Sequence, residues 1–301
     1  MTLRWKFLST WALLLFLGLP TARGAPIDLQ TGLTGTWYEP GIGGQGFVVV
    51  VYGDSLYGQG TVLASWLTYD TIVGGAERQR WYTLSGTVVR GQTQVSMKIY
   101  QNTGGNFNAP PITAAIPVGT ATLSFDSCTS GQLVYNFTDG SGRASTIPLS
   151  RLTQNVTCSA TSPRPANADF WRSGVYYNAA TSGQGLAVEV NPISGVLFLA
   201  WMTYAPSGAG AGPAGQRWYT GLGGFAAGTS SIPVVLYETT GGSFDDGMTS
   251  PRTVVAGSGT LTFEGCSVRL GFNFTNGSSI GASGTISFGS ADPSGVGCWD
   301  Y

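Results

Sequence analysis

The chain contains no histidine. That absence excludes Ser-His-Asp and Cys-His nucleophile activation, and it excludes histidine-ligated zinc or iron. Beyond the first 24 residues the only lysine is Lys98, so a Ser-Lys hydrolase would rest on a single residue. A pair of carboxylates could still carry glycoside hydrolysis. The acidic residues are scattered, however, and only Asp126 and Glu264 occupy corresponding places in the two halves of the chain, each beside a cysteine. Asp245-Asp246-Gly247 could contribute to an oxygen-ligand calcium site, but no spaced carboxylate series surrounds it. The reading is non-catalytic, with no cofactor and no metal expected. What remains for recognition chemistry is amide, guanidinium and indole: Gln45 and Gln184, Arg80 and Arg217, and the tryptophans Trp66, Trp81, Trp201 and Trp218.

The elements that must position these groups come from a duplication. Gly35-Thr-Trp-Tyr with Gly44-Gln-Gly-Phe47 returns as Gly174-Val-Tyr-Tyr with Gly183-Gln-Gly-Leu186, and Trp66-Leu-Thr-Tyr69 returns as Trp201-Met-Thr-Tyr204. Gln79-Arg-Trp-Tyr-Thr83 matches Gln216-Arg-Trp-Tyr-Thr220, and Thr103-Gly-Gly-Asn-Phe107 matches Thr240-Gly-Gly-Ser-Phe244. Order is kept throughout. The domain boundaries follow as a leader over 1–24, a first domain over 25–158, a linker over 159–168 with Pro163 and Pro165, and a second domain over 169–301.

The leader is read as a signal peptide, because Arg4 and Lys6 precede an apolar run from Trp11 to Leu19 and Ala22 and Gly24 fit a small-x-small cleavage site. A secreted or periplasmic location is expected, with no transmembrane span. Taking Arg4, Lys6 and Arg23 from the 14 basic side chains leaves 11 against 15 acidic ones, a net charge of −4. Nucleic acid is therefore not an expected partner.

Within each copy the apolar period is two. Ala121, Leu123 and Phe125 interleave with Thr120, Thr122 and Ser124, and Asp139-Gly140 and Arg90-Gly91 supply turn signals. The fold class predicted is all-β: two tandem antiparallel meander domains of seven or eight strands. Predicted strands lie near 36–38, 46–52, 60–69, 80–88, 94–101, 120–125, 133–138 and 145–152. A small barrel is favoured because closure removes edges that this weakly charged chain does not guard with lysine; a two-sheet sandwich is the alternative.

The order G-x-W-Y, G-Q-G-F, W-x-T-Y-D, R-W-Y, T-G-G-x-F resembles an uncharacterised repeat of secreted bacterial proteins over nearly all of both halves, and that resemblance implies no activity. Gly35-Thr-Trp37-Tyr with Arg151 also resembles lipocalin-like and avidin-like barrels, where such a pair packs across one end.

Four cysteines in an exported chain imply two disulfides. The repeat and a meander, whose sixth and eighth strands end at one rim, select Cys128 with Cys158 and Cys266 with Cys298. For the shared polar and aromatic residues two readings stand. In one the tryptophans fill the core while Gln and Arg bond strand carbonyls. In the other, Gln45, Arg80 and Trp81, with Gln184, Arg217 and Trp218, line a ligand groove. The function expected is a secreted binding or adhesion module whose ligand could be carbohydrate or a cell-surface component. The alternatives are an exported glycoside-hydrolase-type enzyme and an envelope or matrix protein that binds another protein, such as a protease.

Overall fold

The computed structural model describes residues 27–53, 58–158, 167–206 and 212–292. The leader, most of the 159–168 linker and Cys298 lie outside them. The first half folds as β1 (Gly35–Tyr38), β2 (Gly46–Gly53), β3 (Gln59–Tyr69), β4 (Gln79–Val89), β5 (Gln94–Gln101), β6 (Ile116–Phe125), β7 (Ser130–Phe137) and β8 (Ala144–Arg151). The second half repeats the order as β9 (Gly174–Tyr177), β10 (Gly185–Asn191), β11 (Val196–Tyr204), β12 (Gln216–Gly224), β13 (Ser231–Thr240), β14 (Arg252–Glu264), β15 (Ser267–Phe274) and β16 (Ser283–Ser290).

Each strand pairs antiparallel with the next. β8 then returns to β1 through Trp37↔Arg151, and β16 returns to β9 through Gly289↔Tyr177, so both sheets close as eight-stranded barrels. The tandem meander expected from the sequence is thus observed, and closure, not a two-sheet sandwich, is how it covers its edges.

The period-two residues fill each interior. Trp66 lies among Phe47, Tyr82 and Tyr135 at ring distances of 5.1, 5.7 and 5.3 Å, and Trp201 lies among Tyr219, Phe272 and Phe274 at 5.9, 5.0 and 5.8 Å. The Arg151 guanidinium sits 5.4 Å from the Trp37 ring and donates to the Thr34 carbonyl at 2.5 Å. In the second barrel Tyr176 stands in place of the tryptophan and donates to the Arg172 carbonyl at 2.8 Å. Cys128 and Cys158 are bonded, with Cα atoms 5.6 Å apart. Cys266 is also disulfide-bonded. Closing the 30-residue separation between Cys128 and Cys158 restricts the unfolded chain by about 3–4 kcal/mol.

Alternation fails in one region of each barrel. Phe47 to Val50 and Ser65 to Tyr69 are buried without interruption, as are Gly185 to Asn191 and Leu199 to Tyr204. A strand buried on both faces must be covered outside as well as inside. The cover is the other barrel: Val48, Val50, Leu67, Tyr69 and Trp81 pack with Ala187, Ala200, Met202, Tyr204 and Trp218 in one shared apolar layer.

Candidate functional site

The polar part of this joint is reciprocal. Gln79 Nε2 donates to the Trp218 and Thr239 carbonyls at 2.9 and 3.1 Å, and Gln216 Nε2 donates to the Trp81 and Asn102 carbonyls at 3.0 and 3.1 Å. The Trp81 indole donates to the Thr203 carbonyl at 3.2 Å, while the Trp218 indole donates to the Thr68 carbonyl at 2.9 Å. Tyr69 meets Trp218 at 5.7 Å and Trp81 meets Tyr204 at 5.9 Å. This is isologous pairing, in which one surface recognises its own copy.

The T-G-G-x-F loops cross the joint as well. Phe244, on the β13–β14 connection, belongs to the first barrel's core, with Trp66, Tyr135 and Phe137 at 5.2, 5.8 and 5.7 Å. Phe107, on the β5–β6 connection, packs on Trp201 at 5.4 Å and Phe272 at 5.7 Å in the second barrel. The loops run so close to the opposite barrel that a Cβ at Gly105 would enter the Tyr204 ring and one at Gly242 the Tyr69 ring. Glycine is demanded there by contact. One buried carboxylate departs from the symmetry: Glu189, at 0% exposure, accepts from the Thr36 amide and hydroxyl, both at 2.7 Å, and from Thr153 Oγ1 at 2.5 Å.

These contacts decide where the candidate site residues lie. Trp81 and Trp218 are each 1% exposed, and they sit between the barrels in the shared apolar layer. Arg80 donates to the Glu77, Gln79 and Pro213 carbonyls at 2.9, 2.7 and 3.1 Å and pairs with Asp70. Arg217 donates to the Ala214 and Gln216 carbonyls, both at 2.8 Å. Each arginine ties down the single 3-10 turn before its strand. Burial pulls both guanidinium values below the ordinary one. Burial also opposes ionisation of Asp70, but Arg80 and Arg78 outweigh it and hold that carboxyl below its usual value. Gln45 Oε1 accepts from Thr68 Oγ1 at 2.6 Å, and Gln184 Oε1 accepts from Thr203 Oγ1 at 2.8 Å. The structure therefore brings the six residues to one joint, around a shared apolar layer.

The acidic candidates lie apart. Asp126 is exposed just after β6 and Glu264 is exposed at the end of β14, in different barrels, and Glu264 pairs with Arg269 at 2.5 Å. Asp245 accepts from Tyr135 Oη at 2.5 Å, and Asp246 Oδ1 accepts from the Met248 amide at 2.8 Å. Among the described residues no group of three or more His, Cys, Asp or Glu side chains could hold a metal ion.

Two concave surfaces among the described residues bear on binding. The first is an open groove of about 730 Å³ on the outside of the first barrel. Its floor carries a transverse row set by strand register, Ser85↔Lys98, Lys98↔Thr120 and Thr120↔Asn136, with Tyr100 beside it. No carboxylate lines it. The matching row of the second barrel reads Leu222, Val235, Ser258 and Asn273, so an amine and a hydroxyl give way to two aliphatic side chains. The second is a cleft of about 510 Å³ between the barrels, lined by Trp37, Ile42, Gln45, Phe198, Trp218 and Leu222 among others. Reading shared residues reaches the cleft through Gln45 and Trp218 but not the outer groove, which none of the six lines. The signal for the groove lay in positions where the copies differ, Ser85 and Lys98 against Leu222 and Val235.

The fold defines a class: a fused pair of eight-stranded meander barrels, each closed partly by a phenylalanine of the other, with concave surfaces outside the barrels. No family model, curated protein or solved structure matches the chain. Among the described residues no helix is long and apolar enough to cross a membrane.

Proposed function

We propose that the protein is an exported binding module without turnover, acting as one two-barrel body, and that it holds a carbohydrate chain in the groove around Lys98. The observation that carries this reading is the Ser85–Lys98–Thr120–Asn136 row with Tyr100 at its side. Sugars are recognised by hydroxyl, amide and ammonium groups that exchange hydrogen bonds with their hydroxyls, and by an aromatic face against the ring. The groove supplies each of these on rigid strands. Its lack of a lining carboxylate supports binding over hydrolysis, since glycosidases need a carboxyl pair about the bond. The leader and the Cys128–Cys158 disulfide support export.

Affinity electrophoresis of the full mature chain through gels containing hydroxyethylcellulose, xylan or alginate tests the proposal. Retardation by at least one polymer is expected, and Tyr100→Ala or Lys98→Ala should weaken it by about 1–3 kcal/mol. Retardation untouched by both substitutions would place binding elsewhere. Hydrolysis abolished by replacing one carboxylate would overturn the non-catalytic reading. A second reading, attachment to another protein, is favoured by the aliphatic strip of the second barrel, where Leu222, Val235 and Val255 are 43%, 39% and 53% exposed.

A further inference from the structure

The two copies differ where β6 and β14 begin. In the second barrel the β13–β14 ladder runs three rungs past Tyr237, to Thr240↔Arg252, but in the first the β5–β6 ladder ends one rung past Tyr100, at Gln101↔Ile116. The stretch before Ile116, from Pro111 to Ala115, stands off the sheet and runs without a turn or bend. Asn102, 4% exposed, replaces the missing rungs. Its Nδ2 donates to the Thr113 carbonyl at 3.2 Å and to the Thr113 hydroxyl at 3.3 Å, and its own carbonyl accepts from Gln216 of the other barrel at 3.1 Å. The second barrel grips Thr113 as well: the Thr113 amide donates to the Ser182 carbonyl at 2.9 Å, and the Thr113 hydroxyl lies 3.1 Å from Tyr204 Oη. A Cβ at Gly183 would strike that hydroxyl. Both barrels thus fix one residue in the middle of an otherwise exposed stretch.

In an extended chain the N–H and C=O of one residue point to one edge, and those of its neighbours point to the other. Thr113 turns both groups to the protein, so Ile112 and Ala114 turn theirs to solvent. Among the described residues, the main-chain groups of Ile112 and Ala114 have no hydrogen-bond partner. Ile112 is 62% exposed, and Pro110, Pro111, Ala114 and Ala115 are exposed too. A free main-chain edge is what a binder of extended strands completes, and bracing it beforehand removes the cost of ordering it. Endopeptidases bind their substrates in this way, pairing with the residue whose carbonyl they attack and with the residue two before it. We infer that Pro110 to Pro117 is a substrate-like strand that occupies the cleft of a serine endopeptidase with a small primary pocket, with Ala114 in that pocket. The register follows from the neighbours. Ile112 in the pocket would require an amide from Pro110, which proline lacks. Ile116 is already paired with Gln101 and precedes Pro117. Ala114 alone has a free amide two residues before it, at Ile112. Its methyl group fits a small pocket and leaves the deep pockets of trypsin-type and chymotrypsin-type enzymes unfilled. No charged side chain occurs from Asn102 to Pro117. This strand lies outside the Lys98 groove and does not depend on it.

The test sets the full mature chain against pancreatic elastase, with trypsin and chymotrypsin as comparisons. Elastase should be inhibited competitively, with one-to-one stoichiometry and an inhibition constant of about 0.1 μM or below. The other two enzymes should be inhibited at least about a hundredfold more weakly. Ala114→Arg should transfer the inhibition to trypsin, with about a hundredfold loss against elastase. Ala114→Leu should transfer it to chymotrypsin, and it provides an independent variant if Ala114→Arg does not fold. Lys98→Ala should leave the inhibition of elastase unchanged, which separates this result from the fate of the carbohydrate reading. No inhibition of elastase at about 10 μM protein, inhibition that neither Ala114 substitution redirects, or hydrolysis after Ala114 as fast as in the unfolded chain would overturn the inference.

Discussion

Phe244→Ala offers a sharp test of how the two barrels depend on each other, because the residue lies in the second half of the sequence and packs in the first barrel. It is 7% exposed. Its ring meets Trp66, Tyr135 and Phe137, and the Arg143 guanidinium stacks over it at 4.6 Å. Truncating a buried phenylalanine typically costs about 3–5 kcal/mol, and a site on a connection that can relax belongs at about 3–4. With roughly 2–4 °C lost per kcal/mol for a cooperative unit of 150–250 residues, the melting temperature should fall by roughly 6–16 °C. Calorimetry measures the fall, and hydrogen exchange with peptide resolution locates it. Faster exchange should appear in β3, β4 and β7, which carry Trp66, Tyr82, Tyr135 and Phe137, more than a hundred residues from the substitution. A melting temperature lowered by less than about 2 °C, or faster exchange confined to β9–β16, would refute the reasoning.

Gln79→Leu removes three bonds across the joint, two donated to the Trp218 and Thr239 carbonyls and one accepted from the Trp218 amide, so urea unfolding should show a loss of about 2–3 kcal/mol; an unchanged midpoint would mean the joint contributes little. Gln216→Leu should behave alike at Trp81 and Asn102. A segment spanning 25–160, expressed alone, bares Leu67, Tyr69 and Trp81, and because the joint is isologous it should pair with a second copy of itself in sedimentation experiments; a stable monomer would contradict this. Asp70, whose carboxyl is held below its usual value, binds its proton at lower pH in the folded chain than in the unfolded one. Its contribution to stability is complete above the unfolded value of about 4 and is lost as pH falls through the folded value. Asp70→Asn should therefore flatten the acid limb of the stability profile, and an unaltered limb would place the acid sensitivity elsewhere.

Much of the architecture follows from local chemistry. Thr120 to Phe125 and Leu133 to Phe137 alternate strictly, and alternation forces strands with one face inward whatever surrounds them. The matched order of the two copies sets two domains, and cysteines following the sixth and eighth strands select Cys128 with Cys158. What alternation could not convey is the outer face of β2, β3, β10 and β11. Runs such as Val48-Val-Val-Val51 and Leu199-Ala-Trp-Met202 record burial on both sides, but a sequence does not say which surface covers the second side. Only the tertiary structure shows that the Trp81 and Trp218 indoles bond across the joint to the Thr203 and Thr68 carbonyls, and that Phe107 and Phe244 pack in each other's barrels. Periodicity is a property of neighbours along the chain, whereas these contacts join residues more than a hundred positions apart, where only the closed barrels bring them together.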